Sequence, residues 1–407
     1  MTPTSNTLTS PPRFRFLYRR QTRLLIIWLS IVLLAVGYVV FMSLWQSSGS
    51  RLVSFAELLI PRSLDLILGS WLFFVGSSIG SFLNVVAWRM PRGMSVNGRS
   101  HCPWCDQTLS WKDNWPVLGW VALAGRCRTC RMPISPRYPI VELAVGTCIL
   151  IMGIIELYGG GMSLPFHDDR WAPAGILWTP YVTNDNLLTI TYHIVAISVA
   201  WALGLVRFDG HRLPSSLVFV SLALLLLPML IYPGFAIVPW HVTMAASWQS
   251  DGRYLDAAMR IITGLAAAVL IGRSLSRYLS PTADPKLNPL GEGTRRLLDL
   301  IAMLAVPAVV VGWQAVFAVT VVSLLTSRAM SRIMPMRSDP LALLGIALPI
   351  ILTLQISVWR WLHNATYWPS VNTAPMVILG WAAVLLLLPA VFHSKANRTE
   401  DYAGSPM

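Results

Sequence analysis

Residues 297–327 read LLDLIAMLAVPAVVVGWQAVFAVTVVSLLTS, an apolar run with a single charged residue, Asp299. A bilayer core takes about 20 apolar residues as a helix. A single helix over this whole stretch would be about 46 Å long at 1.5 Å per residue, so we read it as two spans split near Gly312-Trp313. Similar apolar runs cover 24–45, 64–88, 139–158, 187–206, 214–236, 256–274, 341–360 and 375–393. The sequence thus predicts an all-α polytopic membrane protein with about ten transmembrane helices. Composition agrees: 55% of the 407 residues are hydrophobic and 12% are charged, against about 25% charged in a soluble domain. A soluble enzyme and a disordered chain are both excluded.

The net charge of +13 would suggest nucleic acid in a soluble protein, but its placement gives another reason. With the N-terminus in the cytoplasm, twenty-five of the thirty-one basic residues fall in cytoplasmic segments. These include Arg13, Arg15, Arg19, Arg20 and Arg23, eight in 89–137, five in 273–296, and Arg328, Arg332 and Arg337. This is the positive-inside pattern with both termini inside. Merging 297–327 into one helix would move Arg328, Arg332 and Arg337 outside, which supports the split. Nucleic acid is therefore not an expected partner; the lipid bilayer is. The first span lacks a small-residue cleavage site and is expected to be a retained anchor. The first and last dozen residues are expected to be disordered tails. The outer loop 159–186 carries Trp171, Trp178 and Tyr181, suited to the membrane interface.

Four of the five cysteines lie in one cytoplasmic loop, as Cys102-Pro-Trp-Cys105 and Cys127-Arg-Thr-Cys130. Two Cys-x-x-Cys pairs at this distance suit a tetrahedral four-thiolate Zn²⁺ site, each pair forming a knuckle. With every position filled by protein, the zinc is expected to be structural, supplying folding energy to a loop too small for its own core. A redox dithiol is the competing reading, although it needs only one pair. Cys148, alone in an apolar span, reads as a small buried hydrophobe. His101 and His211 read as solvent-facing.

Around this loop stand Gly80-Ser-Phe-Leu-Asn84, Arg89-Met-Pro91-Arg92-Gly93, Asp113-Asn114-Trp-Pro116 and Pro133-Ile-Ser135-Pro-Arg137-Tyr138-Pro139-Ile-Val-Glu142. In this order they closely resemble the N-terminal region of bacterial type IV prepilin peptidases, across residues 76–146. The resemblance implies an inner-membrane aspartic endopeptidase, a hydrolase that cuts leaders from type IV prepilins or type II secretion pseudopilins at the cytoplasmic face. It also implies a possible N-methyltransferase activity using S-adenosylmethionine, with no residues assigned to that cofactor. The implied organisation is a basic tail (1–23), an extra anchor helix and outer loop (24–63), the family's N-terminal region (64–158) with the zinc loop at 89–137, a peptidase-like membrane core (187–327), C-terminal helices (328–393) and a tail (394–407).

The second half is similar to the family but departs where the catalysis is expected. The first catalytic segment resembles Arg207-Phe-Asp209-Gly-His211-Arg-Leu213-Pro214-Ser215, with Arg207 at the place of the catalytic Asp. The second resembles Gly291-Glu292-Gly293-Thr294, with Thr294 at the place of the other. Gly312-Trp-Gln and Asp339-Pro340 resemble later landmarks. Arginine stays charged at physiological pH and is no general base, and threonine has no carboxylate. Asp209 is therefore the expected catalytic acid, with Glu292 and Asp299 as candidates for the unassigned second one. Each also has a structural role open to it: Asp209 beside Arg207 or Arg212, Glu292 beside Arg295 or Arg296, Asp299 hydrogen-bonded inside the bundle. Three functions follow: a divergent prepilin-processing enzyme, a degenerate homologue that binds pilin-like substrates or scaffolds a pilus or secretion machine, and, with least support, a transporter or channel.

Overall fold

The computed structural model describes residues 13–49, 52–165, 179–180, 182–236, 250–279, 292–333 and 339–400. Among them the protein is helical, with only isolated bridges in the cysteine loop. The helices are α1 (Arg13–Gly49), α2 (Phe55–Arg89), α3 (Leu118–Ala122), α4 (Arg137–Tyr158), α5 (Asn184–Phe208), α6 (Ser215–Ile231), α7 (Ser250–Leu279), α8 (Glu292–Val311), α9 (Ala315–Ile333), α10 (Pro340–Ser357), α11 (Trp359–His363) and α12 (Pro375–Glu400). Every apolar run singled out in the sequence is largely helical, although 214–236 leaves α6 at Ile231 and 341–360 breaks at Val358 between α10 and α11. Among the described residues seven segments are long and apolar enough to cross a membrane, while α6 and the apolar part of α12 are shorter. α8 carries Arg295, Arg296 and Asp299 in its first half, which thins its apolar stretch. Trp171, Trp178, Tyr181, Gly291 and the Glu292 side chain lie outside the described residues.

The chain resolves into two compact units. One comprises 1–71 with 99–140, the other 72–98 with 141–407. In the first, α1 presents Leu25, Leu29, Leu33 and Leu34 outward, as a lipid-facing anchor would. Arg62 and Asp65, one helical turn apart on α2, are buried and paired at 2.6 Å.

The second unit is the helix bundle. α5 and α10 cross backbone to backbone at Gly204 and Gly345, where any added Cβ would overlap the opposing main chain. Without a hydrophobic drive between helices in lipid, such small-residue contacts are a main source of packing. This crossing brings α5 against α10 and sets the line along which the charged residues at their ends meet. The expected break in 297–327 is present: α8 stops at Val311, the chain turns at Gly312 (φ 90°), and α9 begins at Ala315. The carbonyls of Val309 and Val310, at the end of α8, accept from the fully buried guanidinium of Arg260 on α7. A cation there complements the negative end of the helix dipole.

Candidate functional site

The cysteine loop is built from two copies of one turn. The Cys102 N–H donates to Gln107 O (3.0 Å) and the Asp106 N–H to Cys102 O (2.9 Å). Twenty-five residues on, the Cys127 N–H donates to Met132 O (2.9 Å) and the Arg131 N–H to Cys127 O (3.1 Å). The residue after the second cysteine of each pair, Asp106 (φ 56°) and Arg131 (φ 64°), is left-handed, costly for a residue with a Cβ. Flanking bridges pair His101 with Thr108 and Arg126 with Pro133. Arg128, inside the second knuckle, is ion-paired to Asp113, and the Trp120 indole donates to Ile134 O at 3.0 Å.

These turns bring Cys102, Cys105, Cys127 and Cys130 together, with their four sulfurs within 4.8 Å of one another. Cys102 Sγ and Cys130 Sγ are 3.8 Å apart, and Cys105 Sγ and Cys127 Sγ 4.0 Å. A tetrahedron with metal–sulfur bonds of about 2.3 Å has edges of about 3.8 Å, so the four thiols fit a metal ion. Burial pushes the Cys127 thiol up, but backbone N–H groups of Cys130 and Thr129 and the thiols of Cys102 and Cys130 outweigh it, bringing it to about 7. At Cys130 a bond from the Met132 backbone favours the thiolate, yet desolvation and the thiols of Cys105, Cys127 and Cys102 push it up to about 12. The Cys127 proton thus leaves before that of Cys130, which the neighbouring thiols hold and a bound cation would release. His101 is half exposed and stands 3.6 Å from Asp106.

The second constellation lies where α5 ends and α8 and α10 begin. α5 closes with the His211 N–H on Val206 O (3.1 Å) and a left-handed Gly210, a C-terminal turn of the Schellman kind. Arg207, in the last turn of α5, is buried. Its Nη1 donates to His211 O (2.9 Å) and to Asp299 Oδ2 on α8 (3.1 Å). Its Nη2 is 3.4 Å from Asp339 Oδ2. Asp339 caps α10 by accepting from the Leu341 N–H at 3.0 Å, with Pro340 at the first helical position, where its missing N–H costs nothing. The same Asp339 oxygen, Oδ1, also takes Arg296 Nη2 at 2.7 Å, and Asp299 Oδ1 accepts from the Leu213 N–H at 3.3 Å.

The expected catalytic stretch thus meets its partner helix, but through an arginine. Asp299, which the sequence flagged both as a candidate acid and as a buried hydrogen-bonding residue, occupies the second role here. Asp209 is the half-buried C-cap of α5. Thr294 is also half-buried and lies about 140° around α8 from Asp299, since each residue turns the helix by about 100°. The face of α8 directed at Arg207 and Asp339 carries Asp299 and Arg296. Asp339 was legible only as a landmark; that it bridges two arginines needs the crossing of α5 and α10. Sequence reading also passed over Glu156 and His193, buried together with Nδ1 2.6 Å from Oε1. They are separated by 37 positions and lack any motif.

A helical membrane protein with a four-cysteine loop and a charged cluster at the helix ends is the class these features define. Residues 74–155 match the sequence profile of the Bacterial Peptidase A24 N-terminal domain. The chain is 32% identical over 195 residues to the type 4 prepilin-like proteins leader peptide-processing enzyme of Escherichia coli O78:H11, covering 36% of this chain and 72% of that protein. It is 32% identical over 211 residues to the prepilin leader peptidase/N-methyltransferase of Myxococcus xanthus, covering 49% of this chain and 57% of that one. For the protein of the same name from Klebsiella pneumoniae the figures are 43% over 107 residues, 24% and 47%. The chain belongs to the bacterial prepilin leader peptidase family. It spans about half the length of the last two relatives. No solved structure matches.

Proposed function

We propose that this protein processes type IV prepilins or type II secretion pseudopilins at the cytoplasmic face of the bacterial inner membrane. Processing comprises removal of the leader and, with S-adenosylmethionine as donor, N-methylation of the new N-terminus. The observation that carries this reading is the likeness to the Escherichia coli leader peptide-processing enzyme over 72% of that protein's length. We assign the chain ten spans with both termini in the cytoplasm, from the distribution of basic residues, and the domain boundaries given in the sequence analysis. Cys102, Cys105, Cys127 and Cys130 hold a structural Zn²⁺, which when bound neutralises the thiolates and ties the two knuckles together.

Peptide hydrolysis by carboxylates needs one that activates water and another that donates a proton to the carbonyl. Asp209 is the first acid in this reading and Asp299 the second, because Asp299 is the acid packed against the end of α5. Arg207 must then release Asp299 when a prepilin enters. A second reading, a homologue that binds pilin-like substrates without cutting them, is favoured by the way two arginines already neutralise Asp299 and Asp339. To test the proposal, the protein is expressed with a model prepilin in a bacterium lacking its own processing enzyme, and the pilin N-terminus is read by mass spectrometry. Leader loss with a methyl group is the expected result. A full-length pilin throughout overturns the enzymatic reading.

A further inference from the structure

We propose that a small cavity, at the opposite end of α8 and α10 from the arginine cluster, holds one ordered water molecule that accepts from Gln355 and Trp368 and donates to Ser370 and Gln314. The cavity has a volume of about 10 Å³, room for a single water. Its wall combines Val311, the last residue of α8, with Gln314 in the turn before α9 and Gln355 on α10. His363 of α11 and, in the segment before α12, Trp368 and Ser370 complete the polar lining named here.

Two donors on this wall are orphaned. Gln355 Nε2 and Trp368 Nε1 are buried and meet no acceptor among the described residues; the two residues are only 3% and 8% exposed. A buried N–H without a partner costs stability, and native proteins satisfy such groups with protein or with ordered water. The complementary chemistry stands beside them. The Ser370 hydroxyl donates to His363 O at 3.0 Å, which leaves its lone pairs to accept. The Gln314 amide oxygen supplies a second acceptor. Two donors and two acceptors around a space for one molecule match the two to four hydrogen bonds of a buried water.

The wall is fixed by its own contacts. The rings of Trp368 and Trp381 meet edge to face at 5.5 Å, and the Ser370 N–H donates to Thr373 Oγ1 at 2.9 Å. Asn372 Nδ2 stands 3.1 Å from His363 Nε2. Burial pushes the His363 imidazole down to about 4, so at physiological pH it brings no charge to hold an anion. A neutral molecule suits these groups better than an ion, whose desolvation they would not repay. The water would tie the α8–α9 turn, the last part of α10 and the segment leading to α12 together.

The test is thermal unfolding of the purified full-length protein in detergent, comparing wild type with Gln355→Met, Trp368→Phe and the double variant. Each change removes one donor and keeps an apolar group in its place. If both N–H groups bond a water, each single variant should unfold about 2 °C lower. The double variant should lose less than the sum, because both bonds end on one molecule. Orphaned donors in a dry cavity predict the reverse for Gln355→Met, since an apolar group there removes a desolvation cost. A Gln355→Met protein as stable as wild type, or more so, therefore overturns the site. Trp368→Phe also loses ring volume, so the second readout is crystallographic density within hydrogen-bond distance of Gln355 Nε2 and Trp368 Nε1 in the wild type. No density there, or density that gains anomalous signal when bromide replaces chloride, overturns the water.

Discussion

Replacing Arg207 with Gln removes the only side chain described as bridging Asp299 on α8 and Asp339 on α10. Asp299 is 7% exposed and would keep the Leu213 N–H as a neutral donor. Removing one partner of a buried ion pair costs about 3–5 kcal/mol, because a charge is left uncompensated. Asp339 is 29% exposed and keeps Arg296, so it adds little and the total should lie near the lower end, about 3 kcal/mol. Asp299→Asn alone should cost less, because Arg207 keeps Asp339 and the His211 carbonyl. The double variant Arg207→Gln/Asp299→Asn leaves no uncompensated charge at this pair and should recover about 2 kcal/mol of the summed single losses. The assay is an unfolding titration in mixed micelles for wild type, both single variants and the double. Additive losses, or an Arg207→Gln protein as stable as wild type, would refute the ion-pair reasoning.

Purified protein should carry about one zinc per chain, and Cys102→Ser/Cys105→Ser should lose it; a metal-free protein with an unchanged loop contradicts the assignment. Thiolates bind the metal and Cys127 is held near 7, so zinc content should be full at and above neutral pH and fall as acid protonates the ligands, a sign checked by equilibrium dialysis. A reporter inserted near residue 110 should remain on the cytoplasmic side, and its appearance in the periplasm would overturn the topology.

The helices and the cysteine site were legible because each depends on local spacing. A split at Gly312 follows from length alone, and two Cys-x-x-Cys pairs announce a tetrahedral site without tertiary information. The duplicated knuckle was less visible, since Asp106 and Arg131 adopt left-handed backbone without being glycine. Arg207 was legible as a departure, but its consequence was not. Its carboxylate partners lie 92 and 132 positions away; the Gly204–Gly345 crossing of α5 and α10 brings Asp339 to it, and the packing of α8 on α5 brings Asp299.

The most direct measurement is the rate at which purified protein cleaves a model prepilin in detergent, for wild type, Asp209→Asn and Asp299→Asn, with Arg207→Asp/Thr294→Asp as a fourth arm. The proposal predicts wild-type cleavage that falls by about 10²–10⁴-fold when either acid becomes the amide. Wild-type cleavage untouched by Asp209→Asn contradicts the site. No wild-type cleavage, with activity only in the Arg207→Asp/Thr294→Asp protein, contradicts the enzyme and leaves the substrate-binding homologue.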